Sequence, residues 1–281
     1  MNDIIMLMHF HKKFPFNFNS SWVKAGYAGG TGAYEYYPPT NEGVWINTSR
    51  EVHKIQEYRH YYSHVEENVF LKAMGQQASE YWLWKYAKED FIGCSTYRRY
   101  LVLKNIHHPV TGEILRELQN VEPTVDNCIK FSSNEYRDYA LELFERHDVI
   151  TNIPNRLTQT VEQQYLESQP VQYWNLFIKG IEELMPDYRN SMGWFHMHEA
   201  NFTTTYIFKK QLFKKYVSEL FEILEYVWLH SDNVFPIKGV DTATTEPFPW
   251  RFPGFLGERF LPFFIHANDL KPAYVPLATL N

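Results

Sequence analysis

Residues 91–100 read Phe-Ile-Gly-Cys-Ser-Thr-Tyr-Arg-Arg-Tyr, and no other stretch narrows the fold as much. Phe91 to Cys94 is a short apolar run of the kind that forms a strand buried on both faces. It stops in two hydroxyls, Ser95 and Thr96, followed by Tyr97 and the adjacent Arg98 and Arg99. Just upstream, Glu80-Tyr-Trp-Leu-Trp-Lys85 continues an apolar pattern at helical spacing that starts near Val69 and Phe70. A helix feeding a buried strand is half of the unit that builds open α/β sheets, and ligands bind there outside the carboxyl ends of the strands. Two guanidiniums at that place point to an anionic ligand, because each offers a planar fork of donors matched to phosphate or carboxylate. An arginine that caps a helix or pairs with a surface carboxylate is the structural alternative.

The rest of the chain repeats the same alternation. Ile4 to Phe10 is a compact apolar run that predicts an opening strand, followed by His11-Lys-Lys13. Residues 14–47 are rich in Gly, Pro, Asn and Tyr and read as a long loop; their glycines match neither phosphate-loop pattern. Helices are expected over residues 50–64, 66–88, 111–118, 135–146, 160–168 and 174–185, the last stopped by Pro186. Residues 128–131 read weakly as a strand. Residues 148–151 form another strand closed by Ile153-Pro154, and residues 201–208 carry the β-branched enrichment of a third. The longest amphipathic helix spans residues 209–230, with Leu212, Tyr216, Leu220, Ile223, Leu224 and Val227 on one face. The remainder reads as loop with a short helix over residues 257–264. Strands alternating with helices predict an α/β class with a mostly parallel sheet, here one domain over residues 1–281.

The formal net charge of −6 excludes non-specific nucleic-acid binding, which needs a basic footprint. Two cysteines, Cys94 and Cys128, do not make a disulfide framework, and Cys94 in its apolar run reads as a buried thiol. The amino-terminal apolar run is short and carries Asp3 where a signal peptide is basic, and no run is long enough to span a membrane. A cytoplasmic protein is the expectation. The aromatic share of 17% supplies the flat faces and polar tips that sugar or base recognition uses, with an aromatic core, where most of these residues must serve, as the alternative.

Cys-x-x-Cys, His-Glu-x-x-His and Gly-x-Ser-x-Gly are all absent, which removes zinc-finger, zincin and hydrolase-elbow readings. Asp-x-Asp is absent too. That carboxylate pair holds a divalent metal between diphosphate oxygens in many nucleotide-sugar enzymes. A chain that handles a diphosphate without it needs another source of positive charge, and Arg98 and Arg99 are the candidates. His196-Met-His198-Glu199 brings two imidazoles and a carboxylate together ahead of a strand. The cluster reads as a metal site, as sugar-binding or catalytic groups, or as a plain polar loop. In Gly254-Phe-Leu-Gly-Glu-Arg-Phe260, Glu258 reads as a general base or a grip on a sugar hydroxyl, or else as the partner of Arg259 in a structural ion pair.

Several of these segments together resemble a known family. They are the helix residues Tyr81, Trp82, Trp84 and Lys85, the strand Ile92 to Tyr100, the Asp148-Val-Ile strand, Thr160-Val-Glu-Gln-Gln-Tyr165 and Gly254 to Arg259, in that order. The family is bacterial, was long labelled a domain of unknown function, and occurs in capsule, exopolysaccharide and O-antigen (lipopolysaccharide) gene clusters. Some members are galactofuranosyltransferases. Its strand reads Gly-Leu-Cys-His-Tyr-Arg-Arg-Tyr-Phe; Ser95-Thr96 replaces the Cys-His pair here, while Tyr97 to Tyr100 match. Its Asn-Met-Phe-Ile-Met strand is Thr204-Thr-Tyr-Ile-Phe208, and a glutamate before the aromatic helix is Gln76.

The resemblance implies a GT-A-like glycosyltransferase fold and a nucleotide-diphospho-sugar donor, UDP-galactofuranose or another UDP-hexose. Transfer would be to a growing surface polysaccharide on an oligosaccharide or lipid-linked acceptor, with peripheral association at the inner face of the membrane. It carries Arg98 and Arg99 to the donor diphosphate, with Tyr97 and Trp82 shaping the pocket and His198 and Arg259 as further substrate contacts. Glu199 or Glu258 would take the acceptor proton if transfer inverts the anomeric centre. A divalent metal, Mn or Mg, remains open as a cofactor despite the missing Asp-x-Asp. Two rivals stay in view: a non-catalytic carbohydrate- or nucleotide-binding protein on the same fold, and a phosphotransferase that reads its anion through the same arginines.

Overall fold

The computed structural model describes residues 3–10, 20–28, 44–46, 77–96, 98–103, 117–121, 130–231 and 252–280. The strands are β1 (Ile4–Phe10), β2 (Val23–Ala28), β3 (Val44–Ile46), β4 (Phe91–Thr96), β5 (Arg99–Leu101), β6 (Glu117–Val121), β7 (Val149–Asn152), β8 (Asn155–Arg156), β9 (Glu199–Ala200), β10 (Tyr206–Lys209), β11 (Pro272–Val275) and β12 (Leu277–Leu280). The helices are α1 (Gln77–Tyr86), α2 (Asn134–Phe144), α3 (Val161–Leu166), α4 (Val171–Leu184), α5 (Lys210–His230) and α6 (Phe252–Ala267), with a 3₁₀ helix at Pro186–His196.

The central sheet has the order β11-β7-β10-β4-β1-β2-β3. β10 alone runs antiparallel to its neighbours β4 and β7; the other pairs are parallel. This is the mixed α/β architecture that the strand–helix alternation predicts. Successive residues of a strand face opposite sides, and here both sides are apolar. On β10, Tyr206 and Phe208 join the core beneath α1, α4, α5 and α6, while Ile207 joins a second core made by α2, β5 and β12. Strands buried on both faces must be apolar throughout, which is why the runs at β1, β4 and β7 are readable in sequence.

Local chemistry fixes several helix ends. Ser133 caps α2 by accepting the Tyr136 N–H. At α3, Thr160 and Gln163 satisfy each other's backbone N–H groups in a reciprocal capping box. α5 buries Phe213, Tyr216, Leu220, Leu224 and Val227 along one side, as its periodicity requires.

Five expectations are corrected. Residues 14–47 are not wholly loop: β2 and β3 lie in this stretch and extend the sheet from β1. The Val-Lys-Ala-Gly-Tyr-Ala sequence of β2 has little β propensity, so its pairing with β1 makes it a strand. Glu117 and Leu118, assigned to a helix, lie in β6; the rest of that helix falls outside the described residues, as do residues 50–64 and Cys128. Lys130 and Phe131 are a helical turn, not a strand. The strand expected from Asn201 starts only at Tyr206, because side chains at 201 and 203 are bound to β7. The stretch after residue 251 is not loop-rich: α6 is a 16-residue helix that tolerates Pro262, and two strands follow it. Cys94 is a buried thiol, as expected.

Candidate functional site

The carboxyl edge of the central sheet gathers polar groups from four strands. Near the end of β1, His9 is in register with Thr96 of β4, and Tyr206 at the start of β10 pairs with Cys94 of β4 and Thr151 of β7. The chain leaves β1 for β2 and β3 on one side and returns on the other for β4. The β1–β4 boundary is therefore a topological switch point, where an open sheet leaves a crevice for a ligand. His9 Nδ1 lies 2.9 Å from the Ser79 hydroxyl of α1, which ties that helix to the crevice.

On this edge Arg98 follows the end of β4 and Arg99 opens β5, in register with Thr279 of β12. The buried Ser95 hydroxyl donates to the Arg99 carbonyl at 2.6 Å, and its oxygen lies 3.2 Å from the Thr205 hydroxyl. With the Ser95 proton committed to Arg99, Thr205 is the donor of that second contact. Thr151 then donates to the Thr205 carbonyl at 3.0 Å, and the Asn201 amide donates to the Thr151 hydroxyl at 2.8 Å and to the Asn152 carbonyl. Thr203 completes the series by donating to the Asn152 side chain. A continuous hydrogen-bonded seam thus runs from the arginine turn across β10 and β7. Arg98 is exposed and Arg99 half-buried.

The other sequence candidates distribute around this edge. Tyr97 lies outside the described residues. Trp82 is half-buried on α1 with its ring 5.4 Å from that of Tyr86. His198 is exposed, and its carbonyl accepts the Leu157 N–H at 2.8 Å. Glu199 is exposed on the short β8–β9 ladder, paired with Arg156. His196 closes the 3₁₀ helix, so it does not share an extended face with His198; its Nδ1 lies 3.5 Å from Glu162. Among the described residues no three His, Cys, Asp or Glu side chains group to hold a metal ion.

Arg259 is buried in α6. It donates to the Phe255 carbonyl at 2.9 Å and to the Gln164 side chain of α3, and it pairs with Glu258 at 3.3 Å. Its guanidinium lies 4.4 Å from the Phe202 ring centroid and 5.3 Å from that of Tyr165. Burial lowers its pKa, opposed by the neighbouring Glu258. Phe202 belongs to the segment that carries Asn201 and Thr203, so this guanidinium supports the seam from beneath.

A cleft of about 480 Å³ opens at the far end of the same edge, past β7. Its walls come from the residues after β7, the β9 strand, the end of α6 and the edge strand β11, and they include Glu199 and Asn201. Tyr274 of β11 also lines it; burial raises the phenol pKa, and the charge of Glu199 raises it further. Sequence reasoning found Glu199 but missed the seam and Tyr274. The run of threonines at 203–205 is a signal for the seam in retrospect; for Tyr274, a lone aromatic among prolines, the sequence carries none.

A model of one protein family, described as Domain of unknown function (DUF4422), matches residues 76–269. Among solved structures the chain is similar to one titled as the apo form of a bifunctional glycosyltransferase, WbbM, with 15% sequence identity and a TM-score of 0.74. That superposition covers 100% of this chain and 46% of the other, so the chain spans about half of its length. At this identity the likeness is one of fold. No curated protein matches the chain in sequence. Among the described residues no helix is long and apolar enough to cross a membrane.

Proposed function

The chain belongs to this family of unknown function, and from that premise we propose that it is a glycosyltransferase. It moves a sugar from a nucleotide-diphosphate donor, a UDP-hexose such as UDP-galactofuranose, to an oligosaccharide or lipid-linked acceptor of a bacterial surface polysaccharide. The observation that carries this reading is the position of Arg98 and Arg99, directly after β4 at a topological switch point and pinned there through Ser95. The fold likeness to a structure titled as a glycosyltransferase supports it.

In this reading the two guanidiniums bind the donor diphosphate and offset the charge that develops on it as the sugar departs. The described residues supply no cluster of metal ligands, so the arginines take the role of charge neutralisation. Glu199 faces the cleft on the same edge and takes the acceptor hydroxyl proton in a direct displacement. Glu258 is the less suited carboxylate, since it is engaged with Arg259.

Thermal-shift titration with UDP, UDP-hexoses and GDP tests the donor site. A nucleotide diphosphate is expected to stabilise the wild type, and Arg98→Ala or Arg99→Ala to weaken its binding by roughly 10- to 100-fold, as for a lost charge-assisted contact. Turnover of the donor should survive chelator. Loss of turnover with chelator overturns the arginine role. Absence of any nucleotide response, with glycans bound normally, favours a non-catalytic carbohydrate-binding protein.

A further inference from the structure

We infer that the cleft between β9, the end of α6 and edge strand β11 is a carbohydrate subsite that seats the acceptor glycan against Tyr274. This deepens the glycosyltransferase reading and rests on it for the word acceptor; the carbohydrate-binding claim itself stands on the cleft. A cavity of about 480 Å³ falls within the range of small-molecule sites.

The lining is specific in its chemistry. Glu199, Asn201, His266 and Asp269 are its polar lining, and among the described residues no lysine or arginine lines it. Both amide protons of Asn201 are spent on Thr151 and Asn152, which leaves its amide oxygen as an acceptor. Two carboxylates and an amide oxygen beside a single imidazole offer mainly hydrogen-bond acceptors and disfavour an anion. The donor diphosphate is thereby directed to the arginine end of the edge, and the cleft selects a neutral ligand rich in hydroxyl donors. Tyr274, Met197 and Pro272 also line the cleft, Tyr274 and Met197 about half exposed at 47% and 45%. A phenol ring open to solvent on a rigid edge strand is a platform for the C–H face of a sugar ring, offering large contact area at low entropic cost. Acceptors for sugar hydroxyls together with an exposed ring make a saccharide site.

The two ends of the edge are also joined. Asn201, in the cleft wall, bonds Thr151, which bonds the Thr205 backbone, whose hydroxyl contacts Ser95 beneath the arginine turn. Donor and acceptor sites on one hydrogen-bonded frame keep the reacting groups in fixed register.

The test uses the whole chain on an array of bacterial surface oligosaccharides, followed by titration of the bound glycan by saturation-transfer NMR. The wild type is expected to bind at least one hexose-containing glycan. Tyr274→Ala should weaken that binding at least tenfold, Tyr274→Phe should retain it, and Asp269→Asn, which suits the left-handed backbone at that residue (φ 49°), should weaken it. UDP binding should be unchanged in all three. Failure of the wild type to bind any glycan overturns the inference, as does glycan binding that is insensitive to Tyr274→Ala. If glycan binding depends on Tyr274 while no nucleotide binds, the cleft assignment stands and the transferase reading falls.

Discussion

Tyr206 of β10 donates its hydroxyl to the Glu80 carboxylate of α1 at 2.6 Å, with both side chains wholly excluded from solvent. The contact joins the aromatic helix that precedes β4 to the antiparallel strand beside it, directly behind the site edge. Burial raises the Glu80 pKa to about 7, with the Tyr206 hydrogen bond opposing the shift. A carboxyl in this position prefers its neutral form, in which it still accepts from Tyr206.

The folded protein therefore holds the Glu80 proton more tightly than the unfolded chain, where the ordinary value of 4.5 applies. The associated stability is fully present below that value and is lost as pH rises toward and through about 7. Glu80→Gln removes the titration and keeps an acceptor for Tyr206. Between about pH 5 and about pH 8 the wild type should lose stability relative to this variant, by on the order of 3 kcal/mol. Denaturant unfolding across that range measures it; parallel pH profiles for the two proteins would refute it.

Gly93 of β4 is in register with Ile207 of the antiparallel β10. A Cβ there would stand 2.6 Å from the Tyr206 carbonyl oxygen and 2.8 Å from Ile207 Cγ1. The first of these is backbone in a central strand and has no room to yield. Gly93→Ala is expected to destabilise the fold by roughly 2 kcal/mol or more in urea unfolding. A variant as stable as the wild type would show that β4 and β10 can separate without cost.

The parts of the fold legible in sequence share one physical property: their side chains alone decide their state. β1, β4 and β7 are apolar because both faces are covered, and α5 shows its buried stripe because its other side meets water. β2 is different, since Ala25 and Gly26 have no preference for a strand until β1 supplies the partner. α6 hides behind Pro253 and Pro262, which local rules treat as breakers but which a long apolar helix in a core accommodates. At the site, the arginines stand out because they end an apolar run. The seam does not, because Ser95, Thr151, Asn201 and Thr205 meet only after three separate segments reach one edge.

Arg259 separates a binding role from a structural one. Its guanidinium is only 3% exposed, packs against Phe202 and Tyr165, and donates to Phe255 and Gln164. Removing it leaves the Gln164 acceptor without this donor, an unfilled space between two rings, and Glu258 with one ion-pair contact fewer. Arg259→Ala is expected to cost about 3 kcal/mol of folding stability. Arg259→Lys should recover only part of that, since one ammonium cannot reproduce the planar fork. Nucleotide affinity of the folded variants should match the wild type in titrations below their melting temperatures. A variant of normal stability that no longer binds a nucleotide sugar would instead make Arg259 a substrate contact.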